Sequence, residues 1–205
     1  MAKRRSSLRW SILIKRLWEN LQTCLRPGWQ RPEVAALYGA AAVQARRAEF
    51  YRDAAVPDTL DGRFELLILH LALIMLRLRT VRGRDSARMR QHLFDFLGAD
   101  MDRNLREMGI GDMGISRRVK AMGQAFYGRL ASYDSALTQP ESARRGALMT
   151  ALDKNLYGTV PTVPEALCRM ADYIAQSHAM LDLCPYEKLL RGAFVFENPS
   201  QTSIH

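Results

Sequence analysis

Apolar residues recur every three to four positions along most of this chain. The spacing predicts helices at about 6–25, 33–52, 60–81, 85–108, 115–137, 141–157 and 163–183, with a short helix at 186–191. Prolines and glycines fall between these segments, where helices begin or end. The sequence shows no alternating pattern long enough for a strand. We therefore predict an all-α fold, a single domain of about seven helices preceded by a separate N-terminal helix.

The third predicted helix differs from the others because it lacks a polar face between Leu66 and Leu76. A helix that is apolar on every side is normally the buried centre of a bundle. We expect the other helices to pack around it. The arginines at its end, Arg77, Arg79, Arg82 and Arg84, mark the return to solvent and suit a helix C-terminus.

One glycine-rich stretch, GIGDMG at 109–114, has the G-x-G-x-x-G spacing of dinucleotide-binding folds. That fingerprint is meaningful only where a strand runs into the first glycine. The residues before it repeat with helical spacing, so the stretch is predicted to join two helices. Gly109 then adopts a left-handed conformation after the first helix, and Asp112 or Ser116 caps the second.

Charge is concentrated at the N-terminus. The 205 residues carry a net charge of +9, yet residues 1–32 hold eight Lys and Arg against the single acid Glu19. With so little excess charge on the remaining chain, a DNA-binding face over the domain is not indicated. Residues 6–25 form a basic amphipathic helix candidate with two tryptophans, which favours an anionic membrane surface. The membrane-binding candidates are Arg4, Arg5, Trp10, Ile14, Lys15 and Trp18.

Two alternatives for this N-terminal helix stay open. It could pack on the domain with its basic side chains in water, or contact ribosomal RNA through phosphates. The longest apolar run is too short for a membrane span, which takes roughly 18 residues. Cys24, Cys168 and Cys184 show no paired spacing, so a reducing compartment is expected and no zinc site is indicated.

Metal and catalytic motifs are weak. Asp95, Asp100, Asp102 and Glu107 lie near His92, but the Glu-x-x-His pairs of a di-iron bundle and the EF-hand pattern are missing. Ion pairs along a helix, Asp102 with Arg106 and Arg103 with Glu107, explain these charges better. His70, in the apolar helix, is either a neutral core residue or a contact to a partner or to haem.

Three blocks in order carry a family resemblance. They are FYRDAAVPDTLDGRF at 50–64, DMDRNLREMGIGD at 100–112, and RVKAM at 118–122 with FYGR at 126–129. The chain resembles the ubiquinol-cytochrome c chaperone family, whose members assist assembly of the respiratory cytochrome bc complex. The match is strong over about residues 34–137 and loose elsewhere.

The resemblance implies a helical, non-enzymatic assembly factor that handles newly made cytochrome b and needs no cofactor. Mitochondrial members carry a long targeting extension, which this sequence does not show, so a bacterial form is expected. Its place would be cytoplasmic, peripheral at the inner face of the cytoplasmic membrane. The ribosome and a small partner protein are partners in the mitochondrial branch, and the resemblance leaves them open here.

The blocks also suggest which residues bind the partner. The polar and aromatic candidates at matching positions are Asp58, Asp61, Arg63, Asp102, Arg106, Glu107, Asp112, Lys120, Tyr127 and Arg129, to which we add His70. The alternative is an internal ion-pair network that fastens the loop before residue 60 to the helices near 100–130.

Two further hypotheses complete the sequence-based prediction. The first divides the chain into an N-terminal helix and linker (1–31), a helical chaperone domain (32–197) and a polar tail (198–205). The second is the competing function, an all-helical enzyme of unknown substrate that uses His70 or the acids Asp100 and Asp102.

Overall fold

The computed structural model describes residues 28–107, 109, 111–158 and 160–200. A short 3-10 helix, Gly28–Gln30, is followed by eight α-helices in this part of the chain, and no strand occurs in it. In chain order they are α1 (Pro32–Ala45), α2 (Ala48–Arg52), α3 (Leu60–Thr80), α4 (Arg84–Glu107), α5 (Asp112–Leu137), α6 (Glu141–Asn155), α7 (Pro164–Leu183) and α8 (Tyr186–Leu190). The predicted all-α, single-domain fold is confirmed, and most helix ends lie within three residues of the predicted positions.

The central position predicted for the third helix is also observed. In α3 every residue from Ile68 to Leu76 is buried, and α1, α4, α5 and α7 pack around it. Continuous burial explains why this segment shows no polar face. The four surrounding helices are amphipathic and place their apolar sides on α3.

One predicted helix, 33–52, is wrong because it is two helices. The chain leaves helical geometry at Arg47, whose φ of −63° and ψ of 129° are extended, and resumes in α2. Phe50 is thereby completely buried, and the Tyr51 hydroxyl donates to the Ala45 carbonyl, 2.9 Å away. No proline or glycine marks this break, so tertiary packing overrides a good local helix sequence.

The turn that leads into α3 is held by Thr59 and Gly62. The Thr59 hydroxyl accepts a hydrogen bond from the Gly62 amide at 3.1 Å and so caps the N-terminus of α3. A Cβ on Gly62 would lie 2.1 Å from the Pro57 carbonyl oxygen. Only glycine therefore lets the turn fold back onto the first turn of α3.

The glycine-rich stretch joins α4 to α5, as predicted. Gly109 has a φ of 77°, the left-handed conformation that favours glycine after a helix. The predicted side-chain cap by Asp112 is wrong, because the N-cap residue of α5 is Gly111 and Asp112 bonds Arg106. The Ser116 side chain lies outside the described part. A nucleotide-binding loop would need a strand before Gly109, and α4 occupies that place.

Three polar side chains hold the ends of the fold in unexpected ways. Arg77 was predicted to face solvent, yet its Nε donates to the Leu181 carbonyl at 2.7 Å and its Nη2 to the Cys184 carbonyl at 2.8 Å. It therefore caps the C-terminus of α7. Asn198 and Ser200, assigned to the polar tail, bond Arg47 and Asp53. The start of that segment is thus attached to the domain.

Candidate binding cleft

A cleft of about 520 Å³ opens between α1, the first turns of α3 and the last turns of α4, with Met122 of α5 at its base. It is lined by Tyr38, Ala42, Ala45, Arg46, Tyr51, Leu60, Asp61, Arg63, Phe64, Leu67, Asp100, Met101, Asn104, Leu105, Glu107 and Met122. Most of these residues belong to the three sequence blocks described above. The blocks are far apart in the chain, and the fold brings them to one concave surface.

The floor of the cleft is apolar and incompletely covered. Phe64, Leu67, Met101, Leu105 and Met122 are all half-buried, so each leaves part of its side chain open to the cleft. At the rim, Leu60 is 70 % exposed. A concave surface of leucine, phenylalanine and flexible methionine side chains suits an apolar side chain of another molecule.

One wall is fixed by Tyr38 of α1 and Asp100 of α4. The Tyr38 hydroxyl donates to Asp100 Oδ2 at 2.7 Å, and its ring centroid lies 4.6 Å from that of Phe96. Burial, with the Asp100 hydrogen bond as a smaller cause, raises the pKa of Tyr38. Arg103 bonds the other carboxylate oxygen of Asp100. The wall is therefore a satisfied hydrogen-bonded unit that holds α1 against α4.

The opposite rim carries Arg63. Its guanidinium lies 5.6 Å from the centre of the Tyr51 ring, in cation–π geometry, and its Nε donates to Asp58 Oδ1 at 2.7 Å. Both members of this ion pair are more than half exposed, so the pair adds little stability. Asp61, Glu107 and Arg46 complete a rim of mixed charge around the apolar floor.

The predicted binding residues separate into groups. Asp61, Arg63 and Glu107 line the cleft, and Asp58 pairs with Arg63 just outside it. Arg106 donates to Asp102 at 2.7 Å and to Asp112 at 2.5 Å, which ties the end of α4 to the start of α5. The predicted Asp102–Arg106 pair is thus present, whereas Arg103 bonds Asp100 in place of Glu107.

Arg129 is placed inside the helix bundle. Its Nε and Nη2 donate to the two carboxylate oxygens of Glu65, joining α5 to α3, and only 12 % of the Glu65 side chain is exposed. Burial raises the pKa of Glu65, which outweighs the opposite effect of Arg129. The ion pairs of Arg63, Arg106 and Arg129 are therefore separate from one another, and the single network considered above does not form among these residues.

Lys120 and Tyr127 lie away from the cleft. Lys120 is exposed on α5, and Tyr127, 49 % exposed, stacks on Phe94 with ring centroids 4.8 Å apart. Tyr127 also borders a second cavity, of about 240 Å³, between α3, α4 and α5. We name it the Arg90 cavity after one of the two arginines that line it.

His70 is not at a surface. It is completely buried in a group that we name the polar centre, formed by Gln44, His70, Tyr173 and Ser177. The Leu66 carbonyl can only accept, so His70 Nδ1 donates to it at 2.6 Å and Nε2 accepts from the Tyr173 hydroxyl at 2.7 Å. Burial lowers the pKa of His70 to about 4, so the ring is neutral.

This placement corrects two expectations. A partner cannot reach His70 in this structure, so it is no longer a binding candidate, and the competing enzyme hypothesis loses its catalytic base. The acids it also invoked are paired, Asp100 with Tyr38 and Asp102 with Arg106. Within the described ranges no group of three or more metal-binding side chains comes together.

Sequence reasoning missed the apolar half of the cleft. Leu60, Phe64, Met101, Leu105 and Met122 all lie within or next to the quoted blocks, but polar positions were preferred as binding candidates. Tyr38 carried no sequence signal, since its partner Asp100 is 62 residues away. The available signal was an apolar residue in each block, which the fold gathers on one floor.

The N-terminal candidates Arg4, Arg5, Trp10, Ile14, Lys15 and Trp18 lie outside the described residues. The predicted linker ends in the 3-10 helix at Gly28–Gln30, which packs on α1 and α4. In the part of the chain that the structure covers, each helix is too short or too polar to cross a bilayer.

The fold and the cleft together define a class, an all-helical protein with an apolar, charge-rimmed surface cleft. Residues 52–196 match the model of the family described as ubiquinol-cytochrome C chaperone, and the chain belongs to that family. The resemblance seen in the three blocks is confirmed. The family is one of chaperones for assembly of ubiquinol-cytochrome c reductase.

Similar proteins agree with this assignment. The chain is 25 % identical over 151 residues to ubiquinol-cytochrome-c reductase complex assembly factor 1 of Xenopus laevis, covering 74 % of this chain and 73 % of that protein. The factor of the same name from Mus musculus is 23 % identical over 142 residues, covering 69 % of this chain and 46 % of that protein.

A solved structure shows the same fold. The crystal structure of the Cbp3 homolog from Brucella abortus superposes with a TM-score of 0.75 at 29 % sequence identity. The superposition covers 93 % of this chain and 99 % of that chain. The helical architecture described here is therefore also that of this solved structure.

Proposed function

We propose that this protein is a non-enzymatic assembly chaperone of the respiratory cytochrome bc complex that binds newly made cytochrome b through the cleft. The observation that carries the proposal is the convergence of the three family blocks on one apolar, incompletely covered surface. Stability alone would favour burial of these side chains, because each exposed leucine or phenylalanine forfeits about 1.5–3 kcal/mol of transfer free energy.

The client segment expected in this cleft is amphipathic. Apolar side chains of cytochrome b would occupy the floor formed by Phe64, Met101 and Leu105, while its polar groups meet the mixed rim of Asp61 and Arg63. Methionine and leucine adapt to different shapes, which suits a client that is not yet folded. Binding of this kind holds an apolar segment out of water without any chemical step.

Site-specific photo-crosslinking tests the cleft directly. A photo-reactive phenylalanine analogue is placed at Leu60, in the full chain, in cells that make the bc complex. We expect a crosslink to cytochrome b. Leu183, which is 85 % exposed at the end of α7, provides the matched control and should give none. Equal crosslinking from both positions, or none from Leu60, would contradict the assignment of the cleft.

A loss-of-function variant completes the test. Leu60→Glu places a charge at the mouth of the cleft, and Leu183→Glu places the same charge elsewhere. Since both leucines are exposed, both variants should fold. We expect only Leu60→Glu to lower the cellular level of the assembled bc complex. Normal levels in that variant would count against the cleft, and normal levels after deletion of the whole protein would remove the proposed function itself.

We further propose that the protein works at the inner face of the cytoplasmic membrane, bound through its basic N-terminal residues. The support is the charge of the segment and its tryptophans. Vesicles containing phosphatidylglycerol should bind the full protein in a salt-sensitive way, and replacing Arg4, Arg5 and Lys15 with glutamine should weaken binding. Unchanged binding would argue for packing on the domain. The ribosome and a small partner protein rest on the family resemblance alone.

A further inference from the structure

The Arg90 cavity lies at the other end of the helices that form the cleft. It is bordered by Met75 and Leu76 of α3, Gln91 of α4, and Tyr127 and Leu130 of α5. Along α4 it is about 20 Å from the cleft, at 1.5 Å per residue. Its floor is apolar, and a phenol and an amide stand at its edge.

Two guanidinium groups reach this cavity, and they differ in whether an acidic side chain of the protein pairs with them. Arg79 donates to both carboxylate oxygens of Asp134, at 2.5 Å each, so its charge is neutralised internally. Arg90 has no such acid, and its buried Nε has no hydrogen-bond partner in the described part of the chain. Buried donors are nearly always paired in folded proteins, so this group calls for an external partner.

The exposed surface of the chain close in sequence to Arg90 is also cationic. Arg82 lies in the turn before α4, and Arg84 and Arg88 follow one turn apart on its exposed side. Among the described residues these three form no ion pair, and Asp85 is the single acid between residues 77 and 90. The partly buried cation of the cavity therefore lies close in the chain to further positive charge on the surface.

We propose that the Arg90 cavity is a docking site for an acidic segment of a partner protein, with a carboxylate bound by Arg90 and further acidic side chains facing Arg84 and Arg88. A carboxylate matches the planar fork of a guanidinium. The apolar floor accepts the aliphatic part of a glutamate or a neighbouring leucine. A flat bilayer cannot reach a recessed group, and among the described residues no exposed leucine, isoleucine or tryptophan that would insert into lipid lines this cavity.

Fluorescence anisotropy with the full-length protein tests the proposal. The probe is a fluorescein-labelled peptide of alternating Glu and Leu, and the same peptide with Gln for Glu is its neutral control. We expect binding of the acidic peptide only. Arg90→Gln should weaken it by about tenfold or more, and Arg90→Lys by an intermediate factor, because lysine keeps the charge but loses the fork. Arg191→Gln removes one exposed charge just after the end of α8 and should change the affinity less than about twofold.

A second variant controls for a folding defect caused by Arg90→Gln itself. Arg84→Gln with Arg88→Gln changes only exposed side chains and should also weaken the acidic peptide. Leu60→Glu in the cleft should leave the affinity for the acidic peptide unchanged. A failure of the acidic-segment proposal can therefore be distinguished from a failure of the proposed function. The proposal is overturned if the acidic peptide does not bind, if Arg90→Gln matches Arg191→Gln, or if phosphatidylglycerol vesicles bind through Arg90 while the peptide does not.

Discussion

The cleft and the polar centre use the same helices in opposite ways. α1 contributes Tyr38 to the cleft and Gln44 to the polar centre, and α3 contributes Phe64 to one and His70 to the other. In the polar centre the polar side chains are buried and hydrogen-bonded to one another. In the cleft, apolar side chains are left partly exposed beneath a charged rim.

The difference shows where this fold places its stability and where it leaves a surface for a partner. The hydrogen bonds of the polar centre also reach the Glu197 backbone, whose carbonyl accepts from Gln44 and whose amide donates to Ser177, both at 3.1 Å. These bonds fix the C-terminal segment across α1 and α7. The cleft has no corresponding cover among the described residues, which makes it the part of the molecule suited to a changing occupant.

The largest expected effect comes from opening the polar centre. His70→Ala removes a buried ring and leaves the Tyr173 hydroxyl without its acceptor, so the free energy of unfolding should fall by about 3 kcal/mol. Leu60→Ala, a change in the same helix at an exposed cleft position, should cost less than about 0.5 kcal/mol. Urea unfolding followed by circular dichroism measures both. Similar losses of unfolding free energy in the two variants would show that the polar centre and the cleft do not differ in their contribution to stability.

An effect of about 2 kcal/mol is expected from pH. Because the pKa of His70 is lowered to about 4 in the folded protein, the unfolded chain takes up the proton first as the pH falls below about 6.5. The contribution of neutral His70 to the free energy of unfolding has its full value above pH 6.5 and decreases by about 1.4 kcal/mol per pH unit toward pH 4.

The stability difference between the natural protein and His70→Ala isolates that contribution. It should shrink by about 2 kcal/mol between pH 7 and pH 5, because the variant has no imidazole to titrate at this position. Denaturant unfolding at each pH gives the two curves. Parallel curves over this range would mean that His70 is not kept neutral by burial.

A smaller difference in stability is expected between loss of the Arg129–Glu65 pair and loss of the Arg63–Asp58 pair. Arg129→Ala leaves the Glu65 carboxylate inside the bundle without its partner, and a loss between about 1 and 2 kcal/mol is expected, less than for a fully buried pair. Arg63→Ala removes a pair that is more than half exposed and should cost at most about 1 kcal/mol, including its contact with Tyr51. Thermal unfolding orders the two variants. Adding Glu65→Gln should recover stability in the Arg129→Ala variant but not in the Arg63→Ala variant. If stability is not recovered in Arg129→Ala, the buried role of the Arg129–Glu65 pair is contradicted.

The sequence by itself determined the helical class, the central position of α3 and the family. Helical periodicity is a local property, and the apolar character of every residue but His70 from Leu66 to Leu76 leaves burial as the stable solution. The left-handed conformation of Gly109 could be predicted for the same reason, since a glycine after a periodic segment is a local signal of a helix end. The three blocks were recognisable because each is short and continuous in the chain.

Only the tertiary structure decided which residues share a surface. The break at Arg47, the burial of His70 and the separation of Arg129 from the cleft all depend on contacts between residues far apart in sequence. Tyr38 meets Asp100 across 62 positions, and His70 meets Tyr173 across 103. Periodicity tells which side of a helix is apolar but not which neighbour covers it. Whether an apolar residue becomes core or cleft is therefore set by packing, which no local pattern encodes.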